Sequence, residues 1–209
     1  MPALFRVHTL LLQICTVVIA LWLLPAPASA APGLKLVSHT MSATLPKVQP
    51  DWPVPRDGHQ VFYIQRSMNS NTVVYAARFD ESGHFDRNTP VHGYWRRYNT
   101  DGVAKSLKFI EKQFAYGVSS RVNPDGETYA VTFKAIPHLS VTLRSPAPNR
   151  ASLWAQVGDT DLQLTYAYLD LDESGLIPKV TRLRLFGTDP ATGRAHTLIF
   201  SVSGGAIRE

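Results

Sequence analysis

Apolar and polar positions alternate along most of the chain, and the alternation predicts strands. Gln60–Arg66 is followed by the polar turn Ser67-Met68-Asn69-Ser70-Asn71 and then by Thr72–Asp80. In that second run Val73, Tyr75, Ala77 and Phe79 share one face, as a half-buried strand requires. Further strands are predicted at Val91–Tyr98, Thr128–Ile136, Leu139–Arg144, Ala151–Val157, Asp161–Leu171, Lys179–Gly187 and Arg194–Val202. Turn signals separate them: Asp80-Glu81-Ser82-Gly83, Thr100-Asp101-Gly102, Asn123-Pro124-Asp125-Gly126 and Asp189-Pro190-Ala191-Thr192-Gly193. In Asp161–Leu171 the apolar face switches from Leu162, Leu164, Tyr166 and Tyr168 to Leu169 and Leu171, which predicts a bulge near Tyr168.

One stretch breaks the pattern. In Ala104–Ala115, Leu107, Ile110 and Phe114 recur at helical spacing with Lys105, Lys108 and Lys112 opposite, and Phe109 falls on the lysine side. This predicts the one helix after residue 59. Nine or ten strands with short turns and one inserted helix make the expected class mainly β. The strands form an antiparallel meander that hides its edges by closing into a barrel-like (lipocalin-like) domain or by pairing into a sandwich.

The first 59 residues carry no such alternation. Thr9–Leu24 is apolar but for Gln13 and Thr16, Arg6 precedes it, and Ala28-Ser29-Ala30 follows the helix-breaking Pro25-Ala26-Pro27. That order is expected of a secretory signal peptide over residues 1–30 cleaved after Ala30, and so of a periplasmic or secreted protein. At 16 residues the run is shorter than the roughly 20 that span a bilayer, so no stable transmembrane anchor is expected. Residues 31–59, with prolines at 32, 46, 50, 53 and 55, are expected as a flexible tether with Trp52 as a candidate anchor. Residues 60–209 then form a single β-rich domain.

Composition adds two exclusions. A chain that is 44% hydrophobic and 18% charged can bury a core, which excludes wholesale disorder. The one cysteine, Cys15, lies in the segment expected to be removed, so no disulfide framework, thiol catalyst or thiolate metal site remains. Charge is uneven. Residues 60–121 carry nine basic and five acidic side chains, residues 122–209 eight and nine. A positive field in the first half favours anionic partners such as lipid headgroups, phosphorylated compounds or acidic glycans.

Four blocks in that half stand out: Val61-Phe62-Tyr63-Ile64-Gln65-Arg66, Asn69-Ser70-Asn71-Thr72-Val73-Val74-Tyr75, Pro90-Val91-His92-Gly93-Tyr94-Trp95-Arg96-Arg97-Tyr98 and Ile110-Glu111-Lys112-Gln113-Phe114-Ala115-Tyr116-Gly117-Val118. On these blocks the chain resembles a bacterial domain-of-unknown-function family, number 4833, from Val61 to about Val202. The resemblance implies a bacterial, often exported protein, and carries no catalytic residue over.

The sharpest chemistry lies in Val91–Tyr98. Alternation puts His92, Tyr94, Arg96 and Tyr98 on one face and Val91, Trp95 and Arg97 on the other. Facing a barrel interior, the first set would line a polar, aromatic pocket in which Arg96 clamps a carboxylate or phosphate, with Arg66, Asn69 and Asn71 at the rim. These seven residues are the expected ligand-binding set. Asp170-Leu171-Asp172-Glu173-Ser174-Gly175 looks like a calcium loop. Thr181 stands where the bidentate glutamate belongs, however, and Asp-Glu-Ser-Gly recurs as a hairpin turn at 80–83, so no metal is expected. No nucleophile elbow, P-loop, H-E-x-x-H or dinucleotide fingerprint occurs, and no cofactor is expected. Export argues against nucleic acid as partner.

Three functions follow as expectations. The first is binding of a small amphipathic or anionic envelope ligand. The second is an envelope hydrolase or a lipid- or glycan-modifying enzyme using His92 with Asp101 or Glu111. The third is an envelope assembly role, with Phe109 and the Lys105, Lys108, Lys112 helix face as docking surface.

Overall fold

The computed structural model describes residues 34–175 and 178–202; the expected signal segment lies outside the described residues. The described residues form β1 (Leu34–Ser42), β2 (Gln60–Arg66), β3 (Asn69–Ala77), β4 (Val91–Arg96), β5 (Ala104–Ser106), α1 (Phe109–Glu111), β6 (Val118–Val122), β7 (Tyr129–Phe133), β8 (Val141–Ala147), β9 (Arg150–Val157), β10 (Thr160–Asp172), β11 (Lys179–Thr188) and β12 (Ala195–Val202). A single turn of π-helix, Lys112–Tyr116, follows α1. The protein is mainly β, in one branched twelve-stranded sheet.

The branch is made by β10. Along one edge it pairs antiparallel with β11, which continues into β12 and β1. Its other edge is shared: Thr160–Leu164 pair with β9, and Tyr166–Leu169 pair with β2. Two wings therefore leave the same edge, β2-β3-β4-β5 and β9-β8-β7-β6. The β2–β10 pairing is parallel, which a simple meander does not contain. The wings meet over one core. Phe62 stacks on Phe133 at 5.2 Å between ring centres, and Tyr75 meets Phe133 edge-on at 4.6 Å. All three rings are fully buried, a gain of roughly 2 kcal/mol each over exposure. Among the described residues β5 and β6, the outermost strands of the wings, do not pair with each other, so the sheet does not close into a barrel.

The face switch in β10 falls earlier than the predicted bulge near Tyr168. Register against β11 shifts between Leu164 and Tyr166. Leu162 and Leu164 enter the inter-wing core, Tyr166 and Tyr168 turn to the opposite face, and Ala167 and Leu169 return to the core. On that opposite face Tyr63, Tyr166 and Phe186 stack across β2, β10 and β11, with planes 6° and 5° from parallel.

The segment expected as a tether is ordered by that aromatic face. Leu34–Ser42 is not tether but a strand, in register with β12 from Leu34 opposite Val202 to Ser42 opposite Ala195. The next stretch lays Leu45, Val48, Trp52 and Val54 over the aromatic row. Trp52 does act as an anchor, 6.1 Å from the Tyr168 ring. Prolines that deny this strap regular structure leave its carbonyls free as acceptors: the Pro46 carbonyl accepts a hydrogen bond from the Tyr166 hydroxyl and the Pro53 carbonyl accepts one from Gln65 at 3.2 Å.

The predicted helix is the largest departure. Ala104–Ser106 is strand, Leu107 alone of the apolar stripe is buried, and Phe109, Ile110 and Phe114 are 77%, 69% and 76% exposed. α1 has only three residues and passes straight into the π-turn, so the 3.6-residue periodicity that groups Leu107, Ile110 and Phe114 on one face is not sustained. Gly117 permits that turn: a Cβ built there would lie 1.8 Å from the Lys112 carbonyl oxygen. Gly117→Ala is expected to destabilise the protein by about 2 kcal/mol through this overpacking, read as a lowered urea midpoint. An unchanged midpoint would mean that the wide turn is not required.

Candidate functional site

β4 is the strand on which the site was expected, and it does put His92, Tyr94 and Arg96 on one side. The His92 and Tyr94 rings stack at 5.7 Å. Arg96, however, is engaged. Its Nε donates to Asp57 Oδ2 at 2.8 Å, Nη2 closes a second bond to Asp57 Oδ1, and Nη1 donates to the Gly102 carbonyl at 3.1 Å. Tyr94 donates its hydroxyl to the same carboxylate at 2.6 Å. The fork that would clamp a ligand is filled by the strap. The Arg96 and Tyr94 hydrogen bonds hold the Asp57 carboxyl below its ordinary pKa against the opposing effect of burial. Tyr98 lies beyond the end of β4, half-buried, with Gly102 against its ring.

Arg66, Asn69 and Asn71 are not at the rim of this face. Arg66 lies over the Trp95 ring at 4.7 Å, on the core side of β4, and donates to the Tyr116 hydroxyl. Arg97 stacks on Trp95 at 4.4 Å. Asn69 Oδ1 accepts from the Asn71 N–H at 3.1 Å, and buried Asn71 accepts from the Asn99 N–H at 3.1 Å. These amides shape the β2–β3 turn and the loop after β4. Of the seven expected residues, His92 and Tyr94 line a cavity together, and the other five do not.

That cavity is a cleft of about 950 Å³ in the seam where the sheet fails to close. β4 pairs with β5 only over Tyr94–Arg96, which leaves the Val91–Gly93 edge without a strand partner. Across the gap stands β6 with Val118 and Ser119, and the β5–α1 connection roofs one end with Leu107. Val91, Leu107 and Val118 give the cleft apolar walls. Its charged lining is one-sided: Arg78, Lys105, Lys112 and Lys134 line it and no Asp or Glu does. Lys105 is paired with Asp101 at 3.0 Å, whereas Arg78, Lys112 and Lys134 make no salt bridge among the described residues. His92 Nδ1 is buried without a partner. Burial, then the nearby Arg78 charge, hold the His92 pKa below its ordinary value, so the ring is neutral at pH 7.

The carboxylates considered as catalytic partners of His92 are occupied elsewhere. Asp101 binds Lys105 and the Val103 N–H; Glu111 accepts from the Lys108 N–H at 2.7 Å and faces Arg97. Asp170, first residue of the calcium-like run, is held by Arg184 and Arg182. Sequence reasoning passed over Asp57, Arg78 and Lys134. The last two directly follow apolar strands, the one signal that they stand at strand ends beside a core.

A forked, mainly β domain with a cationic seam is the class this geometry defines. The chain belongs to the family described as Domain of unknown function (DUF4833), whose model matches residues 62–197. No curated protein and no solved structure matches it.

Asp57→Asn is expected to lower stability at pH 7 by about 2 kcal/mol, because it weakens charge-assisted bonds to Arg96. With a depressed carboxyl pKa, the contribution is present above about pH 4 and lost as pH falls through the lowered folded value. Urea titrations of wild type and variant should therefore converge as the pH is lowered well below about 4. A gap that persists there would refute the assignment.

Proposed function

We propose that this chain is an exported envelope protein that binds a small, partly apolar anion in the seam cleft. The observation that carries the reading is the cleft's lining, four cations and two apolar walls with no carboxylate. Unpaired cations facing a partly desolvated space attract an anion more strongly than they would in open water. The apolar walls favour a lipid or glycan phosphate over a bare inorganic anion. In this reading the wings form a sandwich, since closing the barrel would fill the seam that holds the ligand.

The test combines two measurements. Native mass spectrometry of protein isolated from its own host should reveal a co-purifying acid. Titration with dihexanoyl phosphatidic acid should show saturable binding, weakened at least tenfold by Arg78→Glu with Lys134→Glu, about 1.4 kcal/mol. Arg121→Glu, on the exposed part of β6, should leave the affinity unchanged. The proposal fails if nothing co-purifies and the paired reversal binds like wild type.

A further inference from the structure

The Phe109–Phe114 turn spends three large apolar side chains on water. Phe109, Ile110 and Phe114 are each more than two-thirds exposed, while Leu107 beside them is buried in the core. The arrangement is built. Lys112–Tyr116 closes as a π-turn, and Gly117 is the residue that lets the Lys112 carbonyl come so close. Glu111, the one acid within the turn, is folded back onto the Lys108 N–H and toward Arg97. Lys108 and Lys112 are exposed and make no salt bridge among the described residues. Two aromatic rings and an isoleucine thus project between two free ammonium groups.

We infer that this turn docks the protein on an anionic lipid surface, the three apolar side chains entering the acyl boundary and the lysines meeting phosphate headgroups. Charge complementarity selects the partner. Apolar tips rimmed by free lysines match the interfacial region of an anionic bilayer, where the lysine stems can reach back to headgroup level. Size points the same way. Two phenylalanines and an isoleucine present on the order of 500 Å², below the roughly 800 Å² per partner of a stable protein interface. Lipid entry needs no such area, only tips that reach a few ångströms past the headgroups. No helix among the described residues is long and apolar enough to cross a membrane, so contact through this turn is interfacial. Of the docking side chains only Lys112 also lines the cleft, so the Phe109, Phe114 and Lys108 variants test the docking without altering the cleft's lining.

The experiment is flotation of the full chain with vesicles of phosphatidylcholine alone, or of phosphatidylcholine with 30% phosphatidylglycerol. Wild type is expected to float with the anionic vesicles, and Phe109→Ser with Phe114→Ser to raise the lipid concentration for half-binding at least tenfold. Lys108→Glu should weaken binding to anionic vesicles several-fold and leave neutral vesicles unaffected. Both sites are exposed, so the variants keep the wild-type fold, checked by circular dichroism. The apolar run at 9–24 is common to all of them. A second readout therefore localises the contact: Phe114→Trp should be quenched by brominated lipid beyond the level of wild type. Unchanged half-binding in the double serine variant together with no excess quenching overturns the inference. So does patch-dependent self-association without vesicle binding, which would make a second copy of the chain the occupant.

Discussion

A strand edge offers one row of hydrogen bonds, and each position on it serves one neighbour. In β10 that limit shapes the whole domain. Thirteen residues give it room for β11 along one edge and for β9 and then β2 on the other. The handover falls at the register shift between Leu164 and Tyr166, where the strand also exchanges its faces. A bulge increases local twist, so the strand that accepts β9 is rotated relative to the strand that accepts β2. The two wings then face each other across Phe62, Tyr75 and Phe133 instead of lying in one plane. The far ends of wings joined at only one margin are left apart, and the seam between β4 and β6 follows from that.

The face turned away from the wings has its own requirement. Tyr63, Tyr166 and Tyr168 bury aromatic rings there, and a buried hydroxyl without a partner is costly. Burial pushes the Tyr166 pKa up to about 12, so the hydroxyl stays protonated and must donate. The strap supplies what the sheet cannot: the Pro46 carbonyl accepts from Tyr166 and the Asp57 carboxylate from Tyr94, while the Gln49 amide donates to the Tyr168 hydroxyl. A proline-rich stretch with no periodicity of its own is suited to this, since its acceptors are not committed to a ladder.

The legibility of the sequence followed the locality of the physics. Gln60–Arg66 was readable to the residue because a short apolar run bounded by turn residues reports a strand buried on both faces, and the four motif blocks identified the family. Pairing was less so. Nothing in Tyr166–Leu169 announces a parallel neighbour a hundred residues earlier, and Leu34–Ser42, exposed almost throughout, has no apolar face to betray it. The helix at 104–115 was misread because periodicity presumes sustained α geometry, and the segment is instead a short strand, three residues of α-helix and a π-turn. At the site, β4 alternation correctly put His92, Tyr94 and Arg96 on one side. It could not show that Asp57 reaches Arg96 first, because a long-range ion pair leaves no mark on spacing. The cleft's own cations, Arg78 and Lys134, come from different wings and meet only in three dimensions.

The consequence for function lies in where the free charge ends up. Arg66, Arg96 and Arg97 are committed, to Tyr116, Asp57 and Trp95, so the arginines conspicuous in the motif blocks hold the fold together, as Arg184 does through Asp170. Among the described residues, Arg78, Lys112 and Lys134 at the seam and Lys108 on the adjoining turn make no salt bridge. Lys112 belongs to both places: it begins the π-turn and lines the cleft. A geometry that exposes apolar tips on one side of a five-residue turn and delivers an ammonium group to a cavity on the other couples surface and seam. If the turn docks on lipid and the seam holds an anion, Lys112 is the residue that the two proposed sites share.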